Sequence, residues 1–243
     1  MALDVLAIGA HPDDVELCVG GTLAALVREG YRVGIVDCSR GEYGTRGSAT
    51  LRIEEARRAQ SILGVHHREF LNMPDSAITP TDDGIVELVR VLRQYRPKVV
   101  LFPPPFERHP DHEAVHRIVR SALFKSGLAR LKTFDSHGIE QEPYRPPRFY
   151  CYIQAYHHEA DFFVDISDTF EQKLEAIRAY SSQVYAPDKY ESTEPETLLS
   201  RPEFLESIIA RARYWGSLIG VRYAEGYLTV EPLGLRSLTV LLP

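Results

Sequence analysis

The chain is poor in cysteine and has no basic block. Its three cysteines, Cys18, Cys38 and Cys151, are odd in number and contain no CxxC pair. That argues against a disulfide framework and against a thiolate metal finger. They read as reduced core residues of a cytoplasmic protein. Lys and Arg total 28 against 34 Asp and Glu, for a formal net charge of −6. With no Lys/Arg run and no aromatic-basic stripe, nucleic acid and an anionic membrane are not expected partners. No apolar stretch approaches the roughly 20 residues of a spanning helix. The opening MALDVLAIGA has no basic segment before a short apolar run, which is not the pattern of a secretory leader. Two nucleotide signatures are missing as well. Gly9-Ala10-His11 stands where a dinucleotide fold would carry GxGxxG, and GEYGTRGS lacks the Gly-Lys-Ser/Thr ending of a P-loop.

What is present is ordinary globular composition, 44% hydrophobic and 26% charged over 243 residues, enough for one large α/β domain spanning 1–243. The first half alternates. Near-continuous apolar runs at 3–10, 31–39, 67–73 and 98–105 read as parallel strands covered on both faces. Helical patterns follow the first to about Glu29 and run over 51–63, 82–95 and 110–126, stopped by Gly30, Gly64, the Arg96-Pro97 step and Gly127. This predicts a Rossmann-like open, mostly parallel sheet with helices on both faces. The second half is less regular. Strands are expected at 148–156 and 160–167, and a helix over 168–183 capped by Asp168. A long loop spans 184–199. Ser200, Pro202 and Glu203 form a capping-box pattern that opens a helix to about Leu218, and the tail from Val221 is expected to be irregular with a short strand.

The chemistry gathers in two segments, AHPDD at 10–14 and ERHPDH at 107–112. Each follows an apolar strand and opens a helix, with proline at the expected first helical position. Ligands collect outside the carboxyl ends of parallel strands, where helix N-termini add positive potential. The two segments can bring His11, Asp13, Asp14, His109, Asp111 and His112 to one crevice. Adjacent buried carboxylates need a positive partner. Imidazole and carboxylate donors suit a divalent metal, and a catalytic zinc site uses three protein ligands and leaves a position for water. His11, Asp14 and His112 are the expected ligands. Asp13 is free to take a proton from water. His109, oriented by Asp111 and favoured as a cation, can stabilise an oxyanion or protonate a leaving amine. His116 reads as a helix-surface residue, and His66, His67, His137, His157 and His158 are also expected on the surface.

AHPDD, GEYGTRG, LRIEEA, LNMPD, HPDH and the late YAEGY together resemble the PIG-L or LmbE-like family of zinc-dependent N-acetylglucosamine deacetylases. Within it the chain looks most like the bacillithiol-biosynthesis deacetylases, from the LDVLAIGAHPDDVE opening to GVRYAEGY. The resemblance implies a cytoplasmic homo-oligomer, often hexameric, that hydrolyses the acetamide of an amino sugar. N-acetylglucosaminyl malate is the substrate it points to. It places the metal on His11, Asp14 and His112, the general base on Asp13, and an electrostatic partner on His109, oriented by Asp111. It adds Arg52 and Asp75 as substrate-binding residues. A malate dianion calls for guanidinium receptors, and Arg52 and Arg108 are the candidates. Plainer readings are a surface ion pair of Arg52 with Glu54 or Glu55, and a turn cap for Asp75 before Ser76. The Tyr185–Tyr190 loop could cover the site. Zn²⁺ is the expected metal, with Fe²⁺ or Mn²⁺ as substitutes. The competing readings are an amidase or deacetylase for another N-acyl glucosamine, such as a mycothiol-type precursor or a thiol conjugate, and a non-catalytic metal-binding protein.

Overall fold

The computed structural model describes residues 2–185, 194–235, 237 and 239. Its elements run in the order β1 (Val5–Gly9), α1 (Asp14–Arg28), β2 (Val33–Asp37), α2 (Ala49–Leu63), β3 (His67–Phe70), α3 (Asp82–Tyr95), β4 (Val99–Phe102), α4 (Pro110–Lys125), β5 (Arg148–Tyr152), β6 (Phe162–Asp165), α5 (Phe170–Arg178), α6 (Pro202–Ile219) and β7 (Ala224–Thr229).

The seven strands form one sheet in the order β3-β2-β1-β4-β5-β7-β6. The first five are parallel, and β7 runs antiparallel between β5 and β6. The period-two pattern of β1 sends Val5 and Ala7 into one core with α1, α2 and α5, and Leu6 and Ile8 into a second with α3 and α4. Both faces are therefore buried, which is why the strand reads as unbroken apolar sequence. The order reverses at β1. β2 and β3 lie on one side of it and β4 on the other, so the crevice between the carboxyl ends of β1 and β4 is the switch point where such sheets bind ligands.

Local signals set most boundaries. The Ser48 hydroxyl accepts from Leu51 N–H to start α2, and Gly64 ends it at φ 72°. Thr81 caps α3 through Gly84 N–H, and Arg96 ends it ahead of Pro97.

Two expectations for the second half need correction. Thr169, not Asp168, occupies the α5 N-cap, and α5 ends at Arg178 rather than 183. There is no capping box at α6. Arg201 is its N-cap, and the Ser200 hydroxyl turns back to Thr197. The short strand expected after Val221 is β7, whose Glu225 pairs with Lys173 at 2.6 Å and accepts from Gly21 and Thr22 N–H. A strand made by long-range pairing carries little local signal.

Candidate metal centre and active site

Gly9 ends β1, and a Cβ there would stand 3.2 Å from Asp14 Cβ and 3.3 Å from the His11 carbonyl. Its bare backbone lets the chain turn sharply. Asp13 then takes φ 117° at the α1 N-cap, a conformation costing a non-glycine residue roughly 1–3 kcal/mol and concentrated at functional sites. Pro12 thus lies ahead of the cap, whereas Pro110 is the first residue of α4 behind an N-cap His109. The two His-Pro-Asp segments share a place in the fold but not a local geometry.

The turn sends the neighbouring aspartates to different partners, both buried. Asp14 Oδ2 accepts from Ala10 N–H at 3.0 Å and His11 N–H at 2.9 Å. Its Oδ1 accepts from Gln154 Nε2 at 3.0 Å and lies 3.2 Å from His112 Nε2. Asp13 Oδ2 meets Arg52 Nη2 at 2.8 Å. Burial pushes the Asp13 carboxyl up to about 6 against the pull of Arg52, with Asp14 adding to the rise. Burial also disfavours the Asp14 charge, but His112 and His11 outweigh it and hold that carboxyl well below its usual range. Environments that push two carboxyls apart in this way separate a proton acceptor from a permanent anion.

His11 stands at the centre. Its Nδ1 is 3.6 Å from Asp14 Oδ2, and its Nε2 is 3.1 Å from both Asp75 Oδ1 and Asp111 Oδ2. Its ring centroid is 4.7 Å from that of His109 and 5.4 Å from that of His112. Burial opposes a charge on His11, but Asp111, Asp14 and Asp75 raise its pKa well above the ordinary value.

Two expected roles change. The Asp111 carboxylate does not orient His109. It takes His11 Nε2 and the backbone N–H groups of Ser76 and Ile78. The reason is position: on the first turn of α4 its side chain reaches back to the loop after β3. His109 Nδ1 instead accepts from Asp111 N–H at 3.2 Å, which leaves the proton of the neutral ring on Nε2. Burial, His11 and His112 lower the His109 pKa, so the expected preference for the cation is reversed. Asp75 does more than cap a turn. Besides His11 it accepts from Tyr43 N–H at 2.7 Å. Burial would raise its carboxyl, but the His11 hydrogen bond and charge bring it to about 2.

Arg52 is neither a surface residue nor a free receptor. It is buried, with Nε and Nη2 on the Pro12 carbonyl and Nη2 on Asp13. Glu55, its expected surface partner, holds Ser182 instead. Arg108 is exposed at the cavity and pairs with no carboxylate among the described residues. His116 is half-buried, its Nδ1 2.9 Å from the Pro103 carbonyl and its ring against Phe102. None of the other five histidines lines the cavity.

The cavity itself has a volume of about 500 Å³ and is lined by His11, Asp13, Asp14, His109 and His112. Thr197, Leu198 and Leu199 frame it, so part of the 184–199 loop borders the site. Tyr185 is described but is not among the lining residues, and Tyr190, with all of 186–193, lies outside the described residues. Gln154 and the α6 face were missed in the sequence. The one available signal for Gln154 was a polar side chain just past the carboxyl end of an apolar strand.

The donor set fits a divalent metal. One nitrogen each from His11, His109 and His112 lie within 4.8 Å of one another, as do ligand atoms of His11, Asp75 and Asp111. His112 Nδ1 is buried without a hydrogen-bond partner among the described residues. Carboxylates on the far nitrogen of a histidine are the usual outer support of a metal ligand, which is the position of Asp75 and Asp111 on His11.

Residues 6–123, from β1 almost to the end of α4, match the family model described as PIG-L, GlcNAc-PI de-N-acetylase. The chain is 34% identical over 233 residues to the diacetylchitobiose deacetylase of Thermococcus kodakarensis, covering 91% of this chain and 81% of that protein. It is 29% identical to a probable N-acetyl-alpha-D-glucosaminyl L-malate deacetylase 2 of Bacillus anthracis, over 74% of this chain and 80% of the other. The crystal structure of a conserved protein from Thermus thermophilus, TT1542, aligns with a TM-score of 0.83 at 34% identity, covering 96% of this chain and 97% of that one. Fold, crevice and relatives agree, and the chain belongs to the PIG-L deacetylase family.

Proposed function

We propose that this protein is a metal-dependent hydrolase that removes the acetyl group of an N-acetylglucosaminide. The observation that carries the reading is the division of labour between Asp13, held by Arg52, and Asp14, facing His112. His11, Asp14 and His112 would hold the metal, with Zn²⁺ the first choice and Fe²⁺ or Mn²⁺ able to replace it. A divalent cation held there would supply polarisation of the amide carbonyl and a more acidic nearby water. Asp13 takes the proton of the attacking water, its orientation fixed by the Arg52 fork. His109, with Nδ1 tied to the α4 backbone, presents Nε2–H to the charge developing on the amide oxygen, and the proton taken up by Asp13 passes to the departing amine. Asp75 and Asp111 lock the His11 ring.

For the sugar, our reading is N-acetylglucosaminyl malate, the deacetylation substrate of bacillithiol biosynthesis, in a cytoplasmic homo-oligomer that resemblance would make a hexamer. Its supports are the Bacillus anthracis relative and Arg108 at the cavity. No described helix is long and apolar enough to cross a membrane. A second reading, a neutral N-acetylglucosamine disaccharide, is favoured by the Thermococcus kodakarensis relative. Incubation of the zinc-loaded protein with N-acetylglucosaminyl malate, diacetylchitobiose and N-acetylglucosamine, with released amine measured, tests both. A clear kcat/KM preference for the malate glycoside is expected, and a preference for the disaccharide would favour the second reading.

A further inference from the structure

One wall of the cavity is a single face of α6, where Phe204, Ser207, Ile208 and Arg211 follow at spacings of three, four and seven. Arg211 is its charged member. It donates through Nη1 to the Gln154 carbonyl, and its guanidinium carbon lies 5.1 Å from the ring centroid of Trp215, one turn on. That distance is within cation–π range. The side chain is half-buried and pairs with no carboxylate among the described residues. Two acids, Asp14 and Glu107, line the same cavity. Both have other donors. Glu107 accepts from the N–H groups of Arg108, Ala155 and Tyr156, and Asp14 from Ala10, His11 and Gln154. A guanidinium carries five N–H donors, and among the described residues Arg211 engages one of them, as a partly desolvated cation.

Arg108 is the other cavity arginine without an acid partner among the described residues, because the Arg52 fork is taken by Pro12 and Asp13. Both are tied to the same three residues. Arg211 holds Gln154, and the Glu107 clamp joins Arg108 to Ala155 and Tyr156. The stretch 154–156 therefore links the Arg108 backbone to the Arg211 guanidinium.

We infer that Arg211 is a specificity-determining residue which, together with Arg108, receives the acidic groups of a dianionic aglycone. This rests on the deacetylase reading above and names the residue that selects its substrate. The test uses the zinc-loaded enzyme and two sugars, N-acetylglucosaminyl malate and methyl N-acetylglucosaminide, with wild type, Arg211→Gln and Arg211→Lys. Glutamine keeps a hydrogen-bond donor but carries no charge. The preference, kcat/KM for the malate glycoside over that for the methyl glycoside, should fall about tenfold or more in Arg211→Gln. The loss should lie in KM. Arg211→Lys should recover part of it, since it keeps the charge without the fork. An unchanged preference in Arg211→Gln, even with both rates lowered, assigns Arg211 to wall structure and overturns the inference alone. A wild type that hydrolyses neither sugar overturns the deacetylase reading and this inference with it.

Discussion

Arg52 Nη2 lies 2.8 Å from Asp13 Oδ2, and the same guanidinium holds the Pro12 carbonyl through Nε and Nη2. This pair explains how two adjacent carboxylates coexist in a buried turn. Asp13 has its own cation, while Asp14 is stabilised by two backbone N–H groups and faces the histidines. On the proposed reading, with Asp13 as the base, Arg52 acts by positioning it. Arg52→Lys, which cannot serve both partners with a planar fork, should lower kcat/KM on the order of 10²-fold. The loss should be equal for charged and neutral sugars, with metal content unchanged. A loss confined to charged sugars would return Arg52 to the role of substrate receptor.

The two aspartates should separate by metal content. Asp13→Asn should retain metal and lose about 10²–10⁴-fold in rate, the worth of a positioned base. Asp14→Asn should be isolated largely metal-free under the same conditions. Elemental analysis beside steady-state kinetics decides, and the reverse pattern would exchange their roles.

Asp75 and Asp111 both reach His11 Nε2 at 3.1 Å. Asp111→Asn should weaken metal affinity by roughly 10–100-fold, the usual effect of removing an outer partner of a ligand. Competition with a chromophoric chelator measures it. Unchanged affinity together with altered pH dependence would restore Asp111 as the partner of His109.

Far from the site, Glu69 accepts from Arg90 Nη2 at 2.5 Å and from the Tyr95 hydroxyl at 2.8 Å. Burial raises its carboxyl, but His67, whose Nε2 lies 3.7 Å away, and the hydrogen bonds from Arg90 and Tyr95 prevail and bring it from 4.5 to about 2. A carboxyl lowered on folding contributes stability above its unfolded pKa and loses it as pH falls toward its folded one. The contribution should therefore be complete above about pH 5 and fade between pH 4.5 and 2. The Tm advantage of wild type over Glu69→Gln should shrink across that window. A constant gap would mean that Glu69 contributes through packing.

The parallel half of the fold was legible because its signals are local. Unbroken apolar strands, Gly64 and the Arg96-Pro97 step each act within a few residues. The His and Asp residues that line the cavity were legible because two His-Pro-Asp segments sit after neighbouring strands of the switch point. Partnerships were not. Nothing local distinguishes Asp111 facing His109 from Asp111 reaching His11, 100 residues away. Asp13 and Arg52, 39 apart, meet only because the β2–α2 loop folds over the end of β1. Gln154 and Arg211 reach the cavity through β5 and α6, whose approach is set by the antiparallel β7, the one strand that lacked a clear pattern.

The most direct test is amine release from N-acetylglucosaminyl malate by one preparation in three states: as purified, stripped by chelation with metal absence verified, and reconstituted with Zn²⁺, with Asp13→Asn taken through the same cycle. The account predicts that wild type loses turnover on stripping and regains it on reconstitution. Asp13→Asn should bind Zn²⁺ equally well and remain slow throughout. Full turnover by verified metal-free wild type, or a reconstituted Asp13→Asn as fast as wild type, would contradict it.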